Sequence, residues 1–297
     1  MTTADTATRP YTIATDRVGR RTIAVSTELT KRRLLAFAAG IGEWAPQYSD
    51  DLREGGLLGH PGLVESLMWN ARHMLDDDMD PRAIPFGVHA ATDWRFRRAF
   101  RQGDVITTQG EVIAVGQIPP GVISTTRYRM LDSRGDEVAV MDTSGIMRGL
   151  RSDGPDRALA TVPPLPERVV APEPLWSTVV PLSAHQAHVY TECADIWNPI
   201  HTERGFAQDA GLPDPILHGS CTFAFSVREL MRRYLDNDPE RLRRVAGQFR
   251  SIVMLGDPIT VQAMGESRDG DQRVVFWETR NAQGAPAVAN GVLVFDG

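Results

Sequence analysis

Three landmarks recur in this 297-residue chain at nearly constant spacing, and that recurrence restricts the fold more than any other feature. A helical stretch at 29–39 runs into Gly42-Glu43-Trp44-Ala45-Pro46, and another at 183–193 runs into Asp195-Ile196-Trp197-Asn198-Pro199. His60-Pro61-Gly62 and His218-Gly219-Ser220 each open an apolar helix, at 63–75 and 221–235. Gly103-Asp104-Val105-Ile106-Thr107 and Gly256-Asp257-Pro258-Ile259-Thr260 come next. The offsets between these matched points are 153, 158 and 153, which argues for a duplicated unit with small loop insertions.

After each Gly-Asp the pattern turns to strands, at 105–115, 122–131 and 137–147 in the first half and at 259–266, 273–280 and 287–295 in the second. Both sets are rich in β-branched residues and are punctuated by turns such as Ser133-Arg134-Gly135 and Arg268-Asp269-Gly270. Each half therefore reads as one long apolar helix wrapped by an antiparallel meander, an α+β arrangement known as a hot dog. Two in one chain predict a double hot dog. The expected organisation is a first repeat at 1–150, a proline-rich linker at 151–174 and a second repeat at 175–297. In the linker Pro163, Pro164 and Pro166 fix φ and remove donors, so the segment is expected outside any sheet or helix.

Composition narrows the partners. The net charge of −6 lacks the basic excess of a duplex-binding protein, so no nucleic acid is expected. Two cysteines, Cys193 and Cys221, cannot build a disulfide scaffold or a four-cysteine zinc site, which fits a reducing compartment. No stretch approaches the ~18 apolar residues of a spanning helix, and the first residues lack a signal-like apolar core. The expectation is a soluble, cytoplasmic protein without membrane contact.

The segment 190–222 is the richest in chemistry. Asn198-Pro199 breaks an element, and Thr202 is expected to cap a short helix at 203–210 that Gly211 ends. His201 falls at the turn, and His218-Gly219-Ser220 follows 17 residues later at the mouth of the long helix. Small residues at a helix mouth leave its first amides free to donate to an anion. A carbonyl placed there is easier to enolise, because its developing oxyanion meets preoriented donors. Ordinary capping of the helix reads the same residues equally well.

The run from Asn198 through Ser220, NPIHTERGFAQDAGLPDPILHGS, resembles the MaoC-like (R)-specific enoyl-CoA hydratases and dehydratases. Gly87 to Asp104 resembles the first half of the two-repeat members. The likeness implies hydration of trans-2-enoyl thioesters of coenzyme A to 3-hydroxyacyl thioesters, or the reverse. It implies no metal or redox cofactor, since the thioester is the substrate. It maps His201 to the family histidine and Gly219 with Ser220 to the oxyanion donors, with His218 supporting and Asn198 in the substrate-binding set. In the family an aspartate shares the water with the histidine.

One departure stands out. The family places its aspartate five residues before the histidine, and here that position is Ile196; Asp195 lies one residue too early. On a helix or turn such a shift rotates a side chain by ~100°. Either a local bulge restores Asp195, or the acid is Glu43, which the offset of 153 places opposite Ile196, as it places Tyr48 opposite His201.

Arg95, Arg97, Arg98 and Arg101 precede one Gly-Asp, and Arg241, Arg243 and Arg244 precede the other. Of these, Arg95, Arg97, Arg98 and Arg244 are candidates for the phosphates of coenzyme A, since a net acidic protein needs local arginines there. Gly40-Ile41-Gly42-Glu43-Trp44-Ala45 fits a dinucleotide pattern but follows a helix rather than a strand, which excludes it. His185 and His188 lack further ligands for a metal, and Asp76-Asp77-Asp78 reads as a solvated helix end. The expected unit is one two-repeat chain that pairs as a homodimer. A hot-dog acyl-CoA thioesterase and a non-catalytic acyl-CoA binder are the alternatives.

Overall fold

The computed structural model describes residues 11–72, 83 and 86–297. The Asp76-Asp77-Asp78 run and the last residues of the helix expected at 63–75 lie outside the described residues.

The first half contains β1 (Thr12–Ala14), β2 (Val25–Glu28), α1 (Lys31–Gly40), α2 (Pro46–Ser49), β3 (Leu58–Gly59), α3 (Leu63–Ala71), β4 (Gly87–Phe96) and β5 (Phe100–Arg101). It ends with β6 (Val105–Ile118), β7 (Gly121–Leu131) and β8 (Glu137–Arg148). Two short strands follow, β9 (Arg151–Asp153) and β10 (Arg157–Ala158). The second half holds β11 (Trp176–Val180), α4 (Gln186–Ala194), α5 (Arg204–Asp209), α6 (Gly219–Tyr234), β12 (Leu242–Phe249), β13 (Ile259–Asp269), β14 (Gln272–Arg280) and β15 (Pro286–Asp296).

The two halves repeat one topology, a double hot dog of mixed helix and antiparallel sheet. From the centre outward the first half runs β4-β8-β7-β6-β2, and the second runs β12-β15-β14-β13-β11. Antiparallel pairing of β4 with β12 joins them into one eleven-stranded sheet. The α6 helix is buried from Ser220 to Met231 on every side, as expected of a helix enclosed by a sheet. At the seam Gly247 pairs with Thr92, and a Cβ on Gly247 would meet the Phe223 ring at 2.9 Å. That glycine lets the sheet close onto α6. Similarly α1 packs on α4 at Gly40, where a Cβ would lie 2.6 Å from that of Cys193.

Several strands escape the sequence pattern. Neither β4 nor β12, the strands that form the seam, was expected, and neither were the outer strands β2 and β11. The linker also differs from expectation. Before Pro163, β9 pairs in parallel with β1 and β10 pairs with β6. Residues 159–174 lack strand structure, and even there Ala171 donates its amide to the Met264 carbonyl at 2.7 Å.

The outer face of the seam carries a ladder of buried charge. Asp93 accepts from Arg244 at 2.6 Å and faces Arg95 at 3.3 Å, while Asp142 accepts from Arg95 and Arg127, each at 2.7 Å. Arg244 also donates to the Pro163 and Pro164 carbonyls, at 2.6 and 2.8 Å, and Arg127 donates to that of Thr161 at 3.1 Å. One cluster thus fastens both half-sheets and straps the linker across them. Removing a single member leaves an uncompensated buried carboxylate. Arg244→Met should therefore cost about 3 kcal/mol in urea unfolding and open the linker to proteolysis. A loss below about 1 kcal/mol, as for an exposed pair, would contradict the strap.

Candidate active site

The end of α4 sets the position of His201. The helix closes at Ala194, and Asp195 takes a left-handed conformation at φ 57°. The Ile196 amide then returns to the Thr191 carbonyl at 3.1 Å, and its side chain enters the core. Asn198 caps the tight turn Pro199–His201, its Oδ1 accepting from the Ile200 amide at 3.4 Å. Thr202 does not cap α5 as expected. Glu203 holds that position without a side-chain bond, because the turn continues one residue further.

His201 Nδ1 donates to the Ile216 carbonyl at 2.9 Å, which leaves Nε2 as the free acceptor. The ring stacks on His218, with centroids 3.7 Å apart. Burial pushes His201 down to about 4 and His218 down to about 2, the neighbouring His201 lowering His218 further. Both are neutral at pH 7, so they stack without charge repulsion. His218 is held from behind by Thr191, whose Oγ1 lies 3.3 Å from Nε2.

Directly after His218 the mouth of α6 opens. The first amide to find a helical acceptor is that of Thr222, which donates to the His218 carbonyl at 3.0 Å. No side chain caps the start, so the Gly219, Ser220 and Cys221 amides form a row of donors beside the His201 imidazole. Phe249 of β12 covers this mouth; a Cβ on Gly219 would meet its ring at 3.3 Å.

The first half lacks this opening. There the Gly62 amide donates to His60 Nδ1 at 3.1 Å, Leu63 to the His60 carbonyl at 3.0 Å and Val64 to that of Pro61 at 3.2 Å. Glu65 closes the set by donating to the Gly62 carbonyl at 3.0 Å. Tyr48 stands opposite His201 in the repeat, edge-on to His60 at 5.6 Å, and its hydroxyl donates to the Asn237 carbonyl at 3.0 Å. Glu43 is buried in this closed site, where Oε1 accepts from the Ala45 amide at 2.8 Å and Oε2 has no partner. Arg232 approaches Glu43 at 3.6 Å.

Neither candidate acid bonds to His201. Asp195 is 63% exposed and turns toward the first half, with Arg33 at 3.6 Å and the Asn70 amide donating at 3.4 Å. The left-handed residue is a local irregularity at the position where a bulge would have restored Asp195, but it directs Ile196 inward and Asp195 outward. The arginines also depart from expectation. Arg95 and Arg244 belong to the seam ladder, and Arg98 is bound to Asp104 at 2.7 Å and Asp132 at 3.4 Å. A guanidinium already neutralised by a carboxylate adds little toward a phosphate. Arg97 remains 76% exposed, 3.6 Å from Glu137.

Residues 167–284 match the family model described as MaoC like domain. The second half of the chain is similar to a MaoC-like domain over those residues. The chain is 28% identical over 189 residues to enoyl-CoA hydratase ChsH3 of Mycobacterium tuberculosis, covering 63% of this chain and 58% of that protein. It is 33% identical over 111 residues to peroxisomal multifunctional enzyme type 2 of Mus musculus, covering 37% of this chain and 14% of that one. The chain thus spans less than two thirds of these relatives. Among solved structures, a MaoC-like dehydratase from Phytophthora capsici superposes with a TM-score of 0.81 at 22% identity, over 95% of this chain and 97% of its own. A Mycobacterium tuberculosis protein described as a double hotdog fold superposes at 0.58 and 14% identity, over 94% and 96%.

Beside His201 and the α6 mouth stand residues that sequence motifs missed. Tyr190 lies fully buried, edge-on to His218 at 5.1 Å, with its hydroxyl unpaired. Phe249 has no motif around it. Only the Gly219 it covers hinted at a close neighbour.

Burial makes the fold sensitive to acid. His60 and His89 are lowered to about 3 and about 4, so four histidines stay neutral in the folded state that ionise near 6.5 when unfolded. Below 6.5 the unfolded chain takes up protons that the native chain refuses, and stability falls with pH toward 4. Glu65 works in the opposite sense. Burial raises it to about 8, so its contribution weakens as pH rises from 4.5 to 8. Four groups against one place the maximum near about pH 7, with a loss below 6.5 of about 1.4 kcal/mol per pH unit for each net proton. Urea midpoints at several pH values measure this, and a flat profile from pH 7 to 5 would contradict it.

Proposed function

We propose that this chain hydrates trans-2-enoyl-CoA to (R)-3-hydroxyacyl-CoA, or dehydrates the product in reverse. The carrying observation is the free Nε2 of His201 beside the uncapped first turn of α6. With the thioester oxygen on the Gly219 and Ser220 amides, electron density leaves the β-carbon and the enolate oxygen is stabilised as it forms. His201 Nε2 takes one proton from a water whose oxygen bonds to the β-carbon. The carbon–carbon π bond opens to the enolate, and the imidazolium returns the proton to the α-carbon. One base serves both steps, so this route needs neither Asp195 nor Glu43. The names of the matched relatives support the reaction class.

His201→Gln should lower kcat on crotonyl-CoA at least about a hundredfold, read as loss of enoyl thioester absorbance, with circular dichroism unchanged. Asp195→Asn, at an exposed carboxylate, should change kcat by less than about threefold. An Asp195→Asn loss as large as that of His201→Gln would restore the shared-water scheme. Release of free thiol without hydration would favour the thioesterase reading.

Two smaller proposals accompany this one. Cys193 and Cys221 are both free thiols, which supports a reducing, cytoplasmic setting. No helix of the described residues is long and apolar enough to cross a membrane. Among the described residues the outer strand β11 pairs with β13 alone, and that edge supports a homodimer.

A further inference from the structure

The two repeats set different side chains behind the histidine that precedes each long helix. The offset of 153 places Ala38 of α1 opposite Thr191 of α4, and Phe37 opposite Tyr190. Both carbonyls close the end of their own helix. That of Ala38 accepts from the Ile41 and Glu43 amides at 3.3 and 2.8 Å. That of Thr191 accepts from the Asp195 amide and, at 3.1 Å, from the Ile196 amide. The side chains differ. Thr191 is buried and adds a hydroxyl, which lies 3.3 Å from His218 Nε2.

The histidine rings differ with them. In the first half His60 lies at 21° to Phe37, and its Nδ1 accepts from the Gly62 amide at 3.1 Å. The imidazole thereby caps its own helix. In the second half His218 is turned to 61° from Tyr190 and stacks on His201 at 28°. Its Nδ1 is buried without a partner among the described residues. The offset of 158 places the Ser220 amide opposite that of Gly62, yet no side chain caps the start of α6. A ring nitrogen and an amide that meet in one repeat thus stay apart in the other. Keeping them apart leaves two buried groups unmatched, a cost that turning the ring toward Ser220 would relieve.

We propose that Thr191 is a positioning residue that keeps the α6 mouth open, its hydroxyl holding the His218 ring on His201 and off the Ser220 amide. This rests on the hydratase reading above, in which the Ser220 amide receives the thioester oxygen. Among the described residues the Thr191 hydroxyl is the hydrogen-bonding partner of the His218 ring. The device works with either tautomer. If Thr191 donates to Nε2, the ring proton sits on Nδ1, which then cannot accept from an amide. If Nε2 donates to Thr191, turning the ring toward Ser220 breaks that bond. Ala38 offers His60 no such hold, and His60 caps its helix.

The test compares Thr191→Val, which keeps the shape and loses the hydroxyl, with Thr191→Ser, which keeps the hydroxyl and loses the methyl. Thr191→Val should lower kcat on crotonyl-CoA at least about tenfold, because it occupies a donor of the kind whose loss costs roughly 10²–10³. Thr191→Ser should stay within about threefold of wild type. A role in packing alone predicts the reverse order. Thermal melting is the folding control. A second reading needs no turnover: deuterium exchange at the Ser220 amide, followed by NMR, should slow at least about tenfold in Thr191→Val as His218 captures that proton. Wild-type kcat in Thr191→Val, a Ser variant slower than the Val variant, or unchanged Ser220 exchange overturns the proposal. If the wild type hydrates no enoyl-CoA while Ser220 exchange still slows in Thr191→Val, the reaction falls and the positioning role stands. Hydration with unchanged exchange gives the converse.

Discussion

The pairing of β4 with β12 is the contact on which the other features depend. Each half-sheet alone would expose one long strand edge and leave its helix half covered. Joined, the two bury α6 completely and bring the first half's inner face against the second half's helix mouth. Trp94 reaches Phe223, and His89 reaches Phe249, only because the seam fixes their register. The charged ladder outside the seam and the glycine inside it serve that same junction. Arg244 binds Asp93 on one side, while Gly247 admits Phe223 on the other.

The duplication is symmetric in backbone and asymmetric in chemistry. Both long helices begin after a histidine that is buried, neutral and stacked against an aromatic or imidazole ring. In the first half the start is sealed by its own carbonyls, and Tyr48 occupies the place of an imidazole. In the second the amides stay open and His201 presents Nε2. The sealed copy still contributes, because it supplies β4, β8 and the wall opposite Phe249. A chain of two repeats can therefore keep one site while using both units to shape it.

Much of this was legible in the residues. The meander strands and the helices after each His were read within a few positions, because period and turn chemistry are local properties. His201 and the α6 mouth were legible through the Asn-Pro-Ile-His and His-Gly-Ser spacing. The seam strands were not, since Gly87–Phe96 alternates weakly and hides a bulge. The partners of Arg95 and Arg244 could not be read either, for those ion pairs depend on strand pairing across 47 and 151 residues. Asp195 turned on one left-handed residue. No short pattern of residues distinguishes a helix that ends in that conformation from one that bulges toward the site.

The open mouth of α6 is a local weakness that the fold maintains against an available remedy. The first half shows that remedy: His60-Pro61-Gly62 turns tightly enough for every early amide to find an acceptor. Gly219-Ser220 lacks the proline and leaves three donors unmet, a cost the helix carries at rest. Four imidazoles kept neutral by burial add to the cost in acid. The open amides and the free Nε2 of His201 are satisfied when a ligand brings an acceptor and a proton. A thioester oxygen that becomes an enolate supplies the first, and the water it is paired with supplies the second. The open α6 mouth and the free Nε2 of His201 are thus the features a hydration transition state would satisfy, and the seam supplies the rigidity that keeps them from collapsing onto each other.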